Sequence, residues 1–585
     1  MAIFPITVMW VMLAVAPSSP RDVYADTWAA TDALGRTLPG YEQVGPVRED
    51  RTVGIFYWTW HTMNGQQGPY DISKAIAENP EAPRFGPLGA AHHWGQPELG
   101  YYLSTDPYVI RRHAMLLTDA GVEVILFDTT NPPFTFKESY LALCEVYTQM
   151  RAEGNAVPRI AFICPFGNPM PVLEQIYQDL YKPGLYQSLW FNWKGKPLVL
   201  ADPAYVKDPQ MKDFFTFRKP MPTYFDGPSG PNQWGWLEVF PQHVFYGDSP
   251  EQKEQVTVGV AQNAVHEKLG PMSHKDGAYG RSRHGGQKDS AADAVLWGYN
   301  FQEQWEQALK IDPPFVFMTG WNEWVAGRFS EWAGYTGKDT VFPDAVFVDQ
   351  YSQEYSRDIE PMNGGHSDNY YYQMVANIRK YKGVRKPQPA SAAKTIAIDG
   401  VFEDWQEVGP QFRDHLGDTA HRDHKGYGSL HYTNTTGRND LATMKVARDA
   451  ATVYFYAETA KPLTPTTDKN WMLLYIDSDR NAKTGWQGYD YVVNLNVSDA
   501  KMTSLHRLTE GWNPELKSKI AFAVKGNQLE LAIPREALGL ARDAKVSLDF
   551  KWADNILKTG EVTEFFLNGD VAPQRRFNYR YVDTQ

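Results

Sequence analysis

Cysteine is nearly absent from this sequence: Cys144 and Cys164 are the only two among 585 residues. They fall on a predicted helix and on the predicted strand after it, as reduced core thiols do, so no disulfide framework or cysteine-based zinc site is available. There is no basic run either, and the formal net charge is −12. That balance repels phosphate backbones and excludes nucleic acid as a partner. No G-x-G-x-x-G follows the first predicted strand, which argues against a dinucleotide site, and no G-x-S-x-G elbow occurs. Apolar runs are short except at the start, where MAIFPITVMWVMLAVAP precedes a small-residue cut at Val23-Tyr24-Ala25. Residues 1–25 read as a secretion signal without the usual positive n-region, and the chain as secreted or periplasmic. Pro5, Pro17 and the short span disfavour an uncleaved anchor, so no stable membrane span is expected after signal removal.

Aromatic residues, in contrast, are plentiful at 14%, with 19 Trp and 33 Tyr. Between residues 48 and 383, continuous apolar strands alternate with loops and helices. Candidates are TVGIFYWTWH from Thr52, VEVILFDTTN to Asn131, PRIAFICP around Arg159, KPLVLAD to Asp202, FFTF near Phe215, PTYFD to Asp226, WGWLEVF to Phe240, VTVGVAQ near Val258 and PFVFMTG to Gly320. Strands without alternation are covered on both faces, as in a parallel sheet. Nine candidates for eight places predict a (β/α)8 barrel with one spurious strand. Asp106 and Pro107 open a helix that Gly121 ends, and Thr135 with Glu138 reads as a capping box for the next. A linker, VRKPQPASAAKT, occupies 384–395. From 396 to 585, short alternating strands separated by turn residues predict an antiparallel β-sandwich.

Active sites of barrels lie at the C-terminal ends of the strands. The strongest end is residues 314–328, PFVFMTGWNEWVAGR, where Glu323 stands between Trp321 and Trp324 beside Asn322. Apolar walls raise a carboxyl pKa, as a general acid requires, and indole faces suit the apolar faces of sugars. The plainer reading pairs Glu323 with a cation and puts the tryptophans in the core. Glu238, between Trp236 and Phe240, is the second candidate carboxyl and Asp128 the third. Trp58, Trp60, His61, His92, His93 and Trp94 join Trp321, Asn322 and Trp324 as candidate substrate-binding residues. Adjacent histidines on a regular element cannot face one site, so no catalytic metal or other cofactor is expected. In the second domain Asp477, Asp479 and Asn481, with Asp490 beyond, place oxygens at alternate positions. That spacing suits a structural calcium as well as an Asp-rich turn.

The run Gly320-Trp321-Asn322-Glu323-Trp324 resembles the W-N-E-W signature of the glycoside hydrolase family 99 and 71-like barrels. The resemblance implies a carbohydrate substrate and places Glu323 at the base that acts on the sugar's own 2-hydroxyl. The family's acid, three residues later, is Ala326 here, so a partner acid must come from Glu238, Asp128 or Glu331. Ile398-Asp399-Gly400, Asp404-Trp405, Trp471 and Thr484-Gly485-Trp486 resemble the carbohydrate-binding family 9-like sandwich. That resemblance implies Trp471 and Trp486 as sugar platforms and a structural calcium. The expectation is therefore a secreted glycoside hydrolase with an accessory sugar-binding sandwich. The alternatives are a glycan-binding protein that has lost catalysis, or a sugar lyase or transferase using Arg281, Arg283 and His284.

Overall fold

The computed structural model describes residues 20–62 and 65–583. The body of the predicted signal, residues 1–19, lies outside the described residues. Eight parallel strands follow one another around a barrel in chain order: β1 Thr52–Tyr57, β2 Val124–Asp128, β3 Arg159–Ile163, β4 Lys196–Leu200, β5 Thr216–Met221, β6 Gln233–Gly235, β7 Lys253–Gly259 and β8 Phe315–Thr319. β8 pairs with both β1 and β7, Phe315 lying level with Thr52 and with Gln255. The ring closes between β6 and β7 through a side chain. The Gly235 N–H donates to Gln255 Oε1 at 3.0 Å, and Gln255 Nε2 returns a bond to the Gly235 carbonyl at 3.1 Å.

FFTF contributes to a true strand, β5, and PTYFD is the spurious one. It lies in the loop that joins β5 to β6 without a helix. WGWLEVF shortens to the end of β6, leaving Glu238 on a loop. Alternate strand residues explain why the runs are continuous. Phe56, Leu126, Ile163, Leu200 and Phe317 fill the barrel interior. Ile55, Phe127, Phe162, Val199 and Met318 face the surrounding helices. Those helices include α1 Pro107–Ala120, α2 Lys137–Ala152, α3 Met170–Ile176, α4 Pro209–Phe214, α5 Tyr299–Ile311 and α6 Asn369–Lys382. Asp106 caps α1 through the Tyr108 N–H at 3.0 Å. α2 begins without its expected capping box, because Phe136 enters it in the left-handed region with no side-chain cap.

The second domain is built on one continuous antiparallel sheet that folds back on itself around a shared core containing Val446, Phe455, Leu474 and Phe550, with a separate hairpin of Arg422–Lys425 and His431–Asn434. Strands Leu441–Arg448, Met502–Leu508 and Tyr579–Val582 join those that alternation marks in the sequence, Thr452–Thr459, Leu473–Asp477, Tyr491–Val497, Pro514–Lys525, Gln528–Pro534 and Ser547–Asp554. The segment at 384–395 is packed, not loose: Val384 and Ala390 are buried, and Lys394 donates its N–H to Arg448. Among the described residues no helix is long and apolar enough to cross a membrane.

Candidate active site

The C-terminal ends of the barrel strands open into a cleft of about 530 Å³. Trp58 and Trp60 reach it from the end of β1, Asp128 closes β2, Trp236 follows β6, Asn263 follows β7 and Glu323 follows β8. Phe134, Phe329 and Leu269 form part of its rim and are 53%, 38% and 38% exposed. Trp332 adds a further indole, and Trp60 stacks on Phe136 with centroids 6.1 Å apart. The cleft is thus an aromatic mouth over a polar floor.

The turn after β8 is locked from three sides. Trp321 donates its N–H to the Phe56 carbonyl at 2.9 Å. Asn322 clasps the Trp58 backbone from both ends, accepting its N–H at 2.8 Å and donating to its carbonyl at 3.0 Å. Gly320 lies so close to Trp58 that a Cβ there would stand 2.0 Å from the ring. Residues 357–360 run beside this turn, the Gly320 N–H donating to the Arg357 carbonyl at 3.1 Å and the Ile359 N–H to that of Gly320 at 3.0 Å. That pairing delivers Arg357 to Glu323.

Glu323 is 1% exposed and held bidentately: Arg357 Nε donates to one oxygen at 2.6 Å and an Nη to the other at 2.9 Å. Burial pushes the Glu323 carboxyl up, and the Arg357 charge opposes it. Arg357 is itself driven upward, against burial, by the charges of Glu323 and Asp349. Two charge-assisted bonds to a guanidinium that does not deprotonate keep the pair ionised. Arg357 also reaches Asn263 at 3.1 Å and Asp349 at 3.2 Å, and its guanidinium lies 5.9 Å from the Trp58 ring and 5.6 Å from that of Trp236.

Asp128 is 2% exposed and accepts the Thr130 N–H at 2.9 Å. Burial raises its pKa to about 6, with the Asp349 charge adding to the rise and the Thr130 bonds and Arg357 acting against it. Asp349 keeps 27% of its side chain exposed at the cleft wall. The floor therefore carries a buried carboxyl, Asp128, raised to about 6, and a more accessible one, Asp349.

The other predicted positions lie elsewhere. Glu238, 0% exposed, accepts the His243 N–H at 3.0 Å and pairs with His243 Nδ1 at 2.9 Å, away from the cleft lining. Burial raises its carboxyl and His243 counteracts this. His61 sits on the Asn322 carbonyl at 2.7 Å, and burial lowers its pKa to about 4. His92 and His93 belong to strand Ala91–His93, one against Tyr70 and Phe347, the other against Tyr101 and Tyr427. Trp94 stacks on Trp324 at 4.7 Å, and both are buried beneath the site, as is Trp321. The W-N-E-W turn sends one side chain, Glu323, to the cleft and three into the core. Glu331 is exposed on the hairpin Glu331–Trp332. Arg281 is fully buried on the Asp358 carbonyl, and His284 pairs with Asp289, so neither joins the site.

In the second domain, ligand oxygens of Asp477, Asp479 and Asp490 lie within 4.8 Å of one another. Asn481 instead serves the turn: its N–H donates to Asp479 at 2.9 Å and its side-chain oxygen accepts from Lys483 at 3.1 Å. Trp471 and Trp486 are 1% and 6% exposed, core residues with no face open to a sugar. A cavity of about 260 Å³ lies beside this turn, but its Arg576 and Arg580 are paired with Asp368 and Asp549.

No protein-family model matches the chain. No curated protein sequence matches it either. Among solved structures, it is similar to a glycoside hydrolase family 99 endo-α-mannosidase from Bacteroides thetaiotaomicron, at 14% identity and a TM-score of 0.34, over 58% of this chain and 99% of that one. The same enzyme in complex with bis-tris-propane gives 16% and 0.32, over 57% and 98%. A glycoside hydrolase-like protein gives 13% and 0.31, over 57% and 95%. At scores of this size the likeness carries no weight for function, which rests on the side chains of the cleft.

Proposed function

We propose that this protein is a glycoside hydrolase that uses Asp128 as general acid and Asp349 as its carboxylate partner. The observation that carries the reading is the pair itself: a buried carboxyl with a pKa of about 6 beside an accessible one, under walls of Trp58, Trp60, Trp236 and Trp332. Glycoside hydrolysis needs one protonated and one ionised carboxyl group across the scissile bond. The part-exposed indoles of Trp60 and Trp332 offer flat apolar faces to sugar rings while the floor offers hydrogen bonds. Asp128 protonates the departing oxygen. Asp349 then serves the anomeric carbon, directly or through water. Glu323 is a positioning residue, because its charge is committed to Arg357, which in turn holds Asn263 and Asp349.

The same commitment of Glu323 favours the second reading, a glycan-binding protein without turnover. A lyase is poorly served, because burial raises the Tyr224 phenol and keeps it protonated. Calcium at Asp477, Asp479 and Asp490 belongs to this reading as a structural ion, and the second domain as an accessory sugar-binding module. Secretion belongs to it too, with a cut before Arg21 more compatible with the packing than one after Ala25. Arg21 bonds Gly154 and Asp414, and Asp22 pairs with Arg385, contacts that a cut after Ala25 would remove. The test is release of reducing ends from a panel of plant, algal and microbial polysaccharides. Binding of a glycan without release by wild-type protein would select the second reading.

A further inference from the structure

We propose that Asp414, Asp418 and Asp570, with Asp440 close by, form a buried calcium site at the junction of the barrel and the second domain. Asp414, Asp418 and Asp570 are 0%, 4% and 2% exposed, and one oxygen from each lies within 4.8 Å of the others. Ligands on opposite sides of a calcium ion, each at about 2.4 Å, stand at most about 4.8 Å apart. Both oxygens of Asp414 and one each of Asp418, Asp440 and Asp570 are buried without a hydrogen-bond partner. The His415 N–H, although near Asp414, completes no bond to it. Two of the remaining oxygens shape the loop: Asp570 accepts the Leu441 N–H at 2.6 Å, and Asp440 accepts that of Gly417 at 2.9 Å.

Neighbouring cations oppose the charge of the cluster only from a distance. Arg111 is committed to Glu153, His415 to Asp119 at 2.9 Å, and Lys551 to the Pro573 carbonyl. Arg112 is near enough to act on Asp418 and Asp570, but among the described residues no salt bridge reaches any of the four acids. Burying an ionised carboxylate without a partner is strongly unfavourable. Protons or a cation must balance the charge, and an all-oxygen set with several orphaned oxygens suits calcium. Three distant segments, 414–418, 440 and 570, meet here beside α1, where Asp119 receives His415 and Asn155 bonds both backbone groups of Leu416. An ion would fasten the two domains where they meet.

The experiment is calcium retention after equilibrium dialysis of the full chain, on an Asp479→Asn background that disables the other acidic cluster. One retained ion per chain is expected, and its loss on adding Asp414→Asn and Asp570→Asn. No ion retained, or equal retention with and without those two changes, would overturn the site. If the added changes prevent folding, the melting temperature of Asp479→Asn alone decides. Millimolar calcium is expected to raise it by several degrees over chelator, as binding to the native state requires, and an unchanged value rejects the proposal.

Discussion

Arg357 holds Glu323 by two hydrogen bonds, at 2.6 and 2.9 Å, on the floor of the barrel mouth. The pair converts the most conspicuous acid of the sequence into a support for its neighbours. Removing one partner of a buried pair leaves the other charge uncompensated. Glu323→Gln is therefore expected to lower stability by about 3–5 kcal/mol in urea unfolding, and Glu323→Gln with Arg357→Met to recover most of it. A loss under about 1 kcal/mol in the single variant would show that the pair is not the lock described.

Gly320 has no room for a side chain, because a Cβ would stand 2.0 Å from a ring carbon of Trp58. Gly320→Ala should displace that indole into the cleft. The expected outcome is a loss of about 1–3 kcal/mol in stability, with an altered Trp fluorescence spectrum. A variant with wild-type stability and spectrum would mean that the turn has slack the geometry denies.

Asp128 links pH to stability in a direction that can be worked out. Its folded pKa of about 6 lies above the ordinary 3.8, so the folded state binds this proton more tightly than the unfolded chain. The resulting stabilisation is complete below 3.8 and disappears as pH rises through about 6. At roughly 1.4 kcal/mol per unit, the effect is about 3 kcal/mol. Asp128→Asn should remove that slope and be more stable than wild type at pH 7, while activity in wild type declines above about pH 6. Parallel stability–pH curves for the two proteins would contradict the assignment.

Trp60 and Trp332 present indoles to the cleft without joining the buried pair. Truncating either to Ala should raise KM about tenfold with kcat little changed, because stacking holds ground and transition states alike. An effect confined to kcat would place them in the chemistry instead.

The architecture was legible because its signals are local. Apolar runs such as 315–319 and capped helices such as Pro107–Ala120 declare themselves over a few residues. The site was legible only in part. Asp128, Trp58 and Trp60 could be read as strand ends that reach a barrel mouth. Asp349 and Arg357 could not, since they lie in an irregular stretch between strand Val346–Phe347 and α6, where no periodicity marks a function. Arg357 reaches Glu323 only because residues 357–360 run beside the β8 turn, a contact no spacing rule predicts. The indoles flanking Glu323 misled for a related reason. Neighbours along an irregular turn need not share a direction, and Trp321 and Trp324 point into the core. Glu238 had the same apolar setting, and the partner that occupies it, His243, stands five residues on in the sequence.

The central claim is that Asp128 protonates the leaving group. Its most direct measurement is the turnover of Asp128→Asn on a glycan that wild type cleaves, with affinity for that glycan measured alongside. The account predicts a fall in turnover of about 10²–10⁴-fold with affinity retained. Turnover within about tenfold of wild type would contradict it.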